Sequence, residues 1–596
     1  MNRFLICGLL LVYLNASAHD PKTTATFATW YESSGYLETP RYDETVRYCR
    51  QLAEASPIIH YTSYGMTPQG REISLLIASK DSKFTPQMAQ NSGKAILLIQ
   101  ACIHPGEPDG KDAGLMLLRD MAIKHQHEEL LDHVTILFIP IVNPDGHERF
   151  GPYSRINQNG PKEMGWRATA QNYNLNRDHV KADAPEMRAW LRLFNEWIPD
   201  FFIDIHTTDG ADYQYTLTYS LETFGNMDKP LTQWQLEVYE PYIQTTMTEA
   251  GFPIFQYVQF RNWHDPRSGM RSGVAPPMYS QGYTSTRNRP GMLIETHMLK
   301  DYKTRVSATY NMLIHTLELL NKEYKTLKTL VRNADQHTTL PEFRKEPYPL
   351  GWRISTTDSV MVNFLGVEYD IRQSDLTGGP WFVYKPDRPN TYNLPWFNNN
   401  IPTSTALLPE AYIIPVEWST VIERMAAHGV QMHRLSSPLE LDVESYRFSN
   451  TKWRPTPYEG HHTVTFDQEE ITQVRHYMPG SVIIDMNQPA AGLIAHMLEP
   501  KSNDSFLYWG FFNAIFEQKE YAETYVMEPL AREMMTQNPE LRREFEAHKA
   551  ANPVYARNQF AILNWFYSRT PYWDRSKDVY PVGKITDRNI VDMILD

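Results

Sequence analysis

The sequence predicts an α/β protein: a mixed, largely parallel sheet sandwiched by helices, followed by a C-terminal α+β region. Three observations carry this expectation. Four apolar runs of strand length, at 95–99, 134–142, 201–205 and 292–295, are continuous rather than alternating, as in parallel strands covered on both faces. Helical patterns lie between them at 112–124, 184–197 and 234–250. The polar residues able to do chemistry, His104, Asn143, His206 and Glu295, follow the strand ends, where ligands gather in such sheets.

The elements follow in chain order. Arg3, the apolar stretch 4–14 and Ala16-Ser17-Ala18 make residues 1–18 a signal peptide, which predicts an exported protein, periplasmic or extracellular. That stretch is too short to span a membrane, and no later run reaches ~20 apolar residues. Val46, Cys49 and Leu52 mark an amphipathic helix from Tyr42, and 72–78 reads as a strand. A long helical stretch over 303–333 is followed by a polar, proline-containing linker at 336–349. The chain is therefore expected to divide into 19–340 and 341–596. In the second part, 412–415 with 420–428 and 481–485 with 490–498 each resemble a strand and a helix, among short aromatic segments rich in Pro and Asn.

Composition narrows the function. The 596 residues are 42% hydrophobic and 21% charged, those of an ordinary globular chain. Lys and Arg number 57 against 70 acids, a net −13 with no basic block, which disfavours a nucleic-acid partner. Cys7 falls within the signal, so Cys49 and Cys102 allow one disulfide and no disulfide scaffold.

The sharpest short motif is His104-Pro105-Gly106-Glu107. A histidine and a glutamate three residues apart, just past a strand, can turn a nitrogen and a carboxylate toward one point. With His206 from a second strand end, two imidazoles and one carboxylate make a catalytic zinc set with an open fourth position. Alone, each residue has an ordinary alternative: a chance spacing for the first pair, a hydrogen-bonded core histidine for His206.

Over roughly 42–320 the sequence resembles the M14 family of zinc carboxypeptidases. The matches run in the family's order. His104 and Glu107 match its first zinc motif, and His206 its third ligand. Asn143-Pro144-Asp145-Gly146 matches a family turn, and Pro185-Glu186 with Ala189 a helix start. Trp166-Arg167 matches the place of the arginine that polarises the scissile carbonyl. Asn176-Arg177 matches the pair that grips the substrate's terminal carboxylate. Ile294-Glu295-Thr296 matches the strand carrying the general base.

The resemblance implies one Zn²⁺ per chain and a peptide substrate with a free C-terminal carboxylate. Glu295 would accept a proton from water and pass it to the leaving amine. Arg167 would meet the charge that develops on oxygen, and the planar fork of Arg177 suits a carboxylate better than lysine would. The chain also departs from the family. Asn174 stands where many members have an aspartate that supports a zinc histidine, leaving Asp204 or Asp109 as expected substitutes. The mobile active-site tyrosine has two candidates, Tyr279 and Tyr283. Arg287 and Arg289, in the segment 280–289 expected to shape the side-chain pocket, either favour an acidic substrate end or face solvent.

The expected function is thus an exported zinc metallocarboxypeptidase. A zinc amidohydrolase acting on N-acyl amino acids or peptidoglycan stem peptides is the alternative. A non-catalytic binding protein is disfavoured, because ligands, base and arginine occur together. The region 341–596 is expected to be a β-rich accessory region that shapes the cleft, recognises substrate or stabilises the fold, with no chemistry of its own.

Overall fold

A computed structural model describes residues 27–595. The expected signal peptide, with Cys7, lies outside the described residues. The first half of the chain builds an eight-stranded sheet. In chain order its strands are β1 (Ile59–Met66), β2 (Glu72–Ala78), β3 (Ala95–Ala101), β4 (Val134–Ile139), β5 (Phe201–Thr207), β6 (Leu217–Leu221) and β7 (Ile254–Gln256). After β8 (Met270–Arg271), which lies outside this sheet, comes β9 (Gly291–Thr296). The spatial order is β1-β2-β4-β3-β5-β9-β6-β7. β4, β3, β5 and β9 run parallel, whereas β1, β2 and the β9–β6 pair introduce antiparallel neighbours. This is the mixed, largely parallel sheet expected.

Both faces of the sheet are apolar, because alternate residues of each strand point to opposite sides. Leu76, Leu97, Ile99, Ile203 and Ile205 belong to one core. There they pack with the helices α1 (Tyr42–Ala55), α2 (Asp109–Ala122) and, later in the chain, Tyr302–Thr339. Leu75, Ile77, Ile96, Leu98 and Phe202 belong to the other core, which includes Trp190 and Phe194 of α3 (Pro185–Trp197). That second core also takes in Leu408, Tyr412, Val482, Leu493 and Phe512. The chain beyond residue 340 therefore covers part of one sheet face.

The expected 234–250 helix is observed as Lys229–Trp234 and Glu240–Glu249, joined by a π-helical turn at Gln235–Tyr239. α4 (Ser280–Ser285) precedes β9, and the helix expected over 303–333 is the 38-residue α5 (Tyr302–Thr339). It shortens the connection, since β10 (Tyr348–Ile354) begins soon after it. β11 (Val360–Gln373) and β12 (Pro380–Phe397) form a long hairpin, and β12 also pairs with β8. β13 (Asn400–Ala406) pairs with β10.

The rest of the chain forms a six-stranded sheet that includes Ala411–Ile414, Val482–Asp485 and, after the helices Thr524–Gln537, Pro539–Ala551 and Gln559–Tyr567, the strand Gly583–Ile585. The strand and helix pairs expected there are present, the helices at Ser419–Ala427 and Ala491–Leu498. Cys49 and Cys102 are free and buried, and burial pushes each thiol up to about 12. No helix among the described residues is long and apolar enough to cross a membrane.

Candidate functional site

β3 ends at Ala101, and Cys102 takes a left-handed φ of 57° that turns the chain away from the sheet. The turn is closed by the Glu107 N–H donating to the His104 carbonyl at 2.9 Å. His104 and Glu107 are thereby delivered to the carboxyl end of the sheet, and α2 starts immediately after at Asp109. His206 sits at the end of β5, in register with Glu295 on the neighbouring parallel strand β9. One core takes Met292 and Ile294 of β9, while Leu293 and Glu295 line a cleft on the other side. The period of two thus separates core from chemistry within four residues.

His104, Glu107 and His206 are buried, and their ligand atoms lie within 4.8 Å of one another. His206 Nδ1 is 3.2 Å from His104 Nδ1 and 2.9 Å from Glu107 Oε2. The outer nitrogens are engaged elsewhere. His104 Nε2 is 2.9 Å from Asn174 Oδ1, and His206 Nε2 is 2.8 Å from Asp204 Oδ2. Ser280 Oγ donates to the same Asp204 oxygen at 2.6 Å. Both imidazoles thus point Nδ1 at one place and are oriented through Nε2, the arrangement that orients metal-binding histidines. Asn174 itself serves His104. Of the two expected substitutes, Asp204 supports the other histidine, His206, whereas Asp109 is taken by Arg305 and Thr207.

The electrostatics follow from these partners. Burial and the Arg167 guanidinium pull His104 down to about 4, against the opposing pull of Glu107. Burial would also lower His206, but the Asp204 carboxylate outweighs it and holds this imidazole well above its ordinary value. Burial would raise Glu107, yet Arg155 keeps it well below the usual carboxylate range. Burial, with Glu107 nearby, pushes Glu295 up to about 8 against the opposing pull of His206 and Arg155.

Arg167 reaches the centre because its segment packs tightly on the Asn143-Pro144-Asp145-Gly146 turn. Asn143 Oδ1 accepts the Gly146 N–H at 2.9 Å, and the Trp166 N–H donates to the Gly146 carbonyl at 2.8 Å. A Cβ on Gly146 would stand 2.5 Å from the Ala168 carbonyl oxygen. Only glycine permits that approach. Arg167 Nη1 then lies 3.3 Å from His104 Nδ1 and 3.5 Å from Glu107 Oε1. Arg155, which the sequence did not single out, is closer still at 2.7 Å from Glu107 Oε1. It lies in the loop between recognisable segments, with no neighbouring pattern to mark it.

His104, Arg167, Asn176, Arg177, His206 and Glu295 open on one cleft of about 640 Å³. Arg177 lies over the Tyr279 ring at 4.3 Å, a cation–π contact that steadies its fork. The two tyrosines part here. Tyr279 lines the cleft, whereas Tyr283 is buried in the core with its hydroxyl 3.1 Å from His428 Nδ1. Arg287 and Arg289 do not line the cleft. Arg289 pairs with Asp335 at 2.8 Å, and Arg287 donates to Asn195 Oδ1 and the His428 carbonyl. Trp352, Ile354 and Asn400, all beyond residue 340, complete a wall.

Residues 45–243 match the Peptidase_M14 family model, described as zinc carboxypeptidase. That matched segment, which carries His104, Glu107 and His206, is similar to the zinc carboxypeptidase family. A relative named Carboxypeptidase 2 from Trichophyton rubrum is 24% identical over 484 residues, covering 79% of this chain and 84% of the relative. Carboxypeptidase 2 of Trichophyton equinum is also 24% identical, over 492 residues, with coverages of 79% and 84%. Among solved structures, a metallo-carboxypeptidase from Pseudomonas aeruginosa is 18% identical, covers 49% of this chain and 71% of its own, and gives a TM-score of 0.36. The enzyme is thus a metallocarboxypeptidase, a class whose substrates are peptides.

Proposed function

We propose that the enzyme removes single residues from peptides with a free C-terminal carboxylate, using one zinc ion held by His104, Glu107 and His206. The observation that carries this reading is the meeting of that donor set with Glu295, Arg167 and Arg177 in one cleft. The donors suit zinc: two imidazole nitrogens and a carboxylate, with both Nε2 atoms already engaged by Asn174 and Asp204. Bound zinc supplies Lewis acidity to the attacking water and the scissile carbonyl.

The chain's own residues do the rest. Glu295 takes a proton from the water and returns it to the leaving amine. Arg167 meets the charge that builds on the carbonyl oxygen. Asn176 and Arg177 hold the terminal carboxylate, with Tyr279 beneath the guanidinium. Tyr283 has no part in binding under this reading. Residues 19–340 form the catalytic domain, and 341–596 an accessory region that walls the cleft. The N-terminal apolar stretch marks the enzyme for export to the periplasm or the exterior.

The test is the terminal carboxylate. Charge-assisted hydrogen bonds contribute about 1.5–3 kcal/mol, so amidating a peptide's C-terminus is expected to cut kcat/KM at least about tenfold. Arg177→Met is expected to cost as much on free-acid peptides and little on amides, the non-additivity of a direct contact. Zinc should be bound at about one per chain, as in a single three-ligand catalytic site, and be lost in His206→Ala. Equal cleavage of amidated and free peptides would overturn the terminal-carboxylate reading, and full zinc content in His206→Ala the ligand assignment.

A further inference from the structure

The cleft carries more positive charge than the removal of an arbitrary C-terminal residue requires. The chain as a whole is acidic, at −13. Yet its cleft is lined by Arg155, Arg167, Arg177 and Arg271, against the carboxylates of Asp209 and Glu295 alone. Arg155 and Arg167 are accounted for by Glu107, at 2.7 and 3.5 Å. Arg177 is reserved for the terminal carboxylate. Arg271 has no ion pair with any carboxylate among the described residues, and it is exposed within the cleft.

Its backbone is anchored. The Arg271 N–H donates to the Gln259 carbonyl at 2.9 Å, and β8 runs parallel to the end of β12, with Arg271 opposite Phe397. Met270 beside it is fully buried. The Ser272 N–H donates to the Phe397 carbonyl at 2.9 Å, and the Asn400 side chain holds the Val274 N–H and the Ser272 carbonyl. Pairing with β12 of the accessory region therefore holds this guanidinium on a braced strand rather than on a free loop. Gln259, which lines the same cleft, can donate a hydrogen bond and carries no charge to compete, whereas the amide groups of Gln256 and Asn400 are taken by Glu240 and by the Ser272 and Asn398 carbonyls.

We propose that Arg271 selects peptides that carry a second negative charge, an acidic side chain on one of their last two residues. This rests on the reading of the cleft as a carboxypeptidase site. A guanidinium fork held in a concave site pairs with a second carboxylate and repels a basic side chain. Arg287 and Arg289, the basic residues the sequence offered for this task, are committed to Asn195, His428 and Asp335.

The experiment compares kcat/KM on blocked tripeptides that differ only in Glu against Gln, placed at the last or the penultimate residue, with a Lys-ended peptide as contrast. Glu is expected to exceed Gln by at least about tenfold in one of the two positions, as a charge-assisted hydrogen bond allows. That position identifies where Arg271 acts. The ratio should shrink as salt is raised. Arg271→Gln should bring it close to one, Arg271→Lys should restore part of it, and Arg271→Glu should shift the preference toward Lys. Equal rates for Glu and Gln in both positions overturn the proposal. So does a Glu preference that survives in both Arg271→Gln and Arg271→Glu. If terminal amidation has no effect, the carboxypeptidase site itself is what fails, so the two readings are separable.

Discussion

His104 and His206 aim the same nitrogen at one point but are held by different partners. His206 leans on a buried carboxylate, Asp204, two residues earlier on the same face of β5, whereas His104 leans on the neutral amide of Asn174. An amide orients an imidazole without making it a stronger donor, so Asn174 is a point where metal affinity can be tuned. Asn174→Leu is expected to weaken zinc binding by roughly 10–100-fold in a competition titration, and Asn174→Asp to tighten it. Asn174 Oδ1 also accepts the Asn176 N–H at 3.1 Å, a bond the aspartate variant keeps. Unchanged affinity in both variants would sink the assignment.

A second residue-scale prediction concerns Glu222, which is buried and accepts the N–H of Ala275 in the cleft wall. Burial pushes its carboxyl up to about 8, whereas in the unfolded chain it titrates near ~4.3. Between those values the folded state keeps a proton the unfolded state has released. Its stabilising contribution is therefore full below the unfolded value and is lost as pH rises through about 8. Glu222→Gln is expected to match the parent near pH ~5 and to exceed it near pH ~9 by something on the order of 1–4 kcal/mol in urea unfolding. A stability difference that does not change with pH would remove Glu222 from the account.

The elements show how few residues a strand needs to join scaffold and site. β5 and β9 lie side by side, so His206 and Glu295 become neighbours although 90 residues separate other bonded members of the same pair, such as His206 and Thr296. At the opposite wall, β13 begins with Asn400, whose side chain clamps the 272–276 segment by its 3.3 Å bond from the Val274 N–H and its 3.2 Å bond to the Ser272 carbonyl. Removing both bonds in Asn400→Leu is expected to raise KM roughly fivefold or more, at about 0.5–1.5 kcal/mol per bond. Zinc content should stay the same. A fall in kcat with KM unchanged would place Asn400 among the groups that support chemistry instead of the wall.

Across the whole molecule, the sheet has two apolar faces, and only one is covered entirely by the first half of the chain. On the other, Trp190, Phe202 and Tyr283 share a core with Leu408, Tyr412, Val482 and Leu493. A fragment ending near residue 340 would expose that surface to water. It is expected to aggregate, or to bind a hydrophobic dye and lack near-ultraviolet circular dichroism, the marks of lost side-chain packing. A soluble fragment with cooperative unfolding would show that the catalytic half folds by itself.

Local pattern made part of this legible. Continuous apolar runs announced β3, β4, β5 and β9, because a covered strand must be apolar on both faces. The candidate ligand residues stood at the ends of those runs, so short spacing and strand order singled out His104, Glu107 and His206, and the family resemblance added a role for Glu295. The hairpin of β11 and β12 gave no such signal, because most of its residues are exposed or half-buried and free of a core's period. Tyr279 and Tyr283 looked equivalent in sequence. Tyr279, however, is the extended cap residue before α4, while Tyr283 lies within the helix and turns into the core. Arg155 on Glu107, Asn174 on His104 and Arg271 in the cleft join segments far apart in the chain. Sequence determines which residues are apolar, charged or able to bind metal. Which distant charges meet, and which remain for substrate, is decided only when the strands pair and the second half of the chain closes over the sheet.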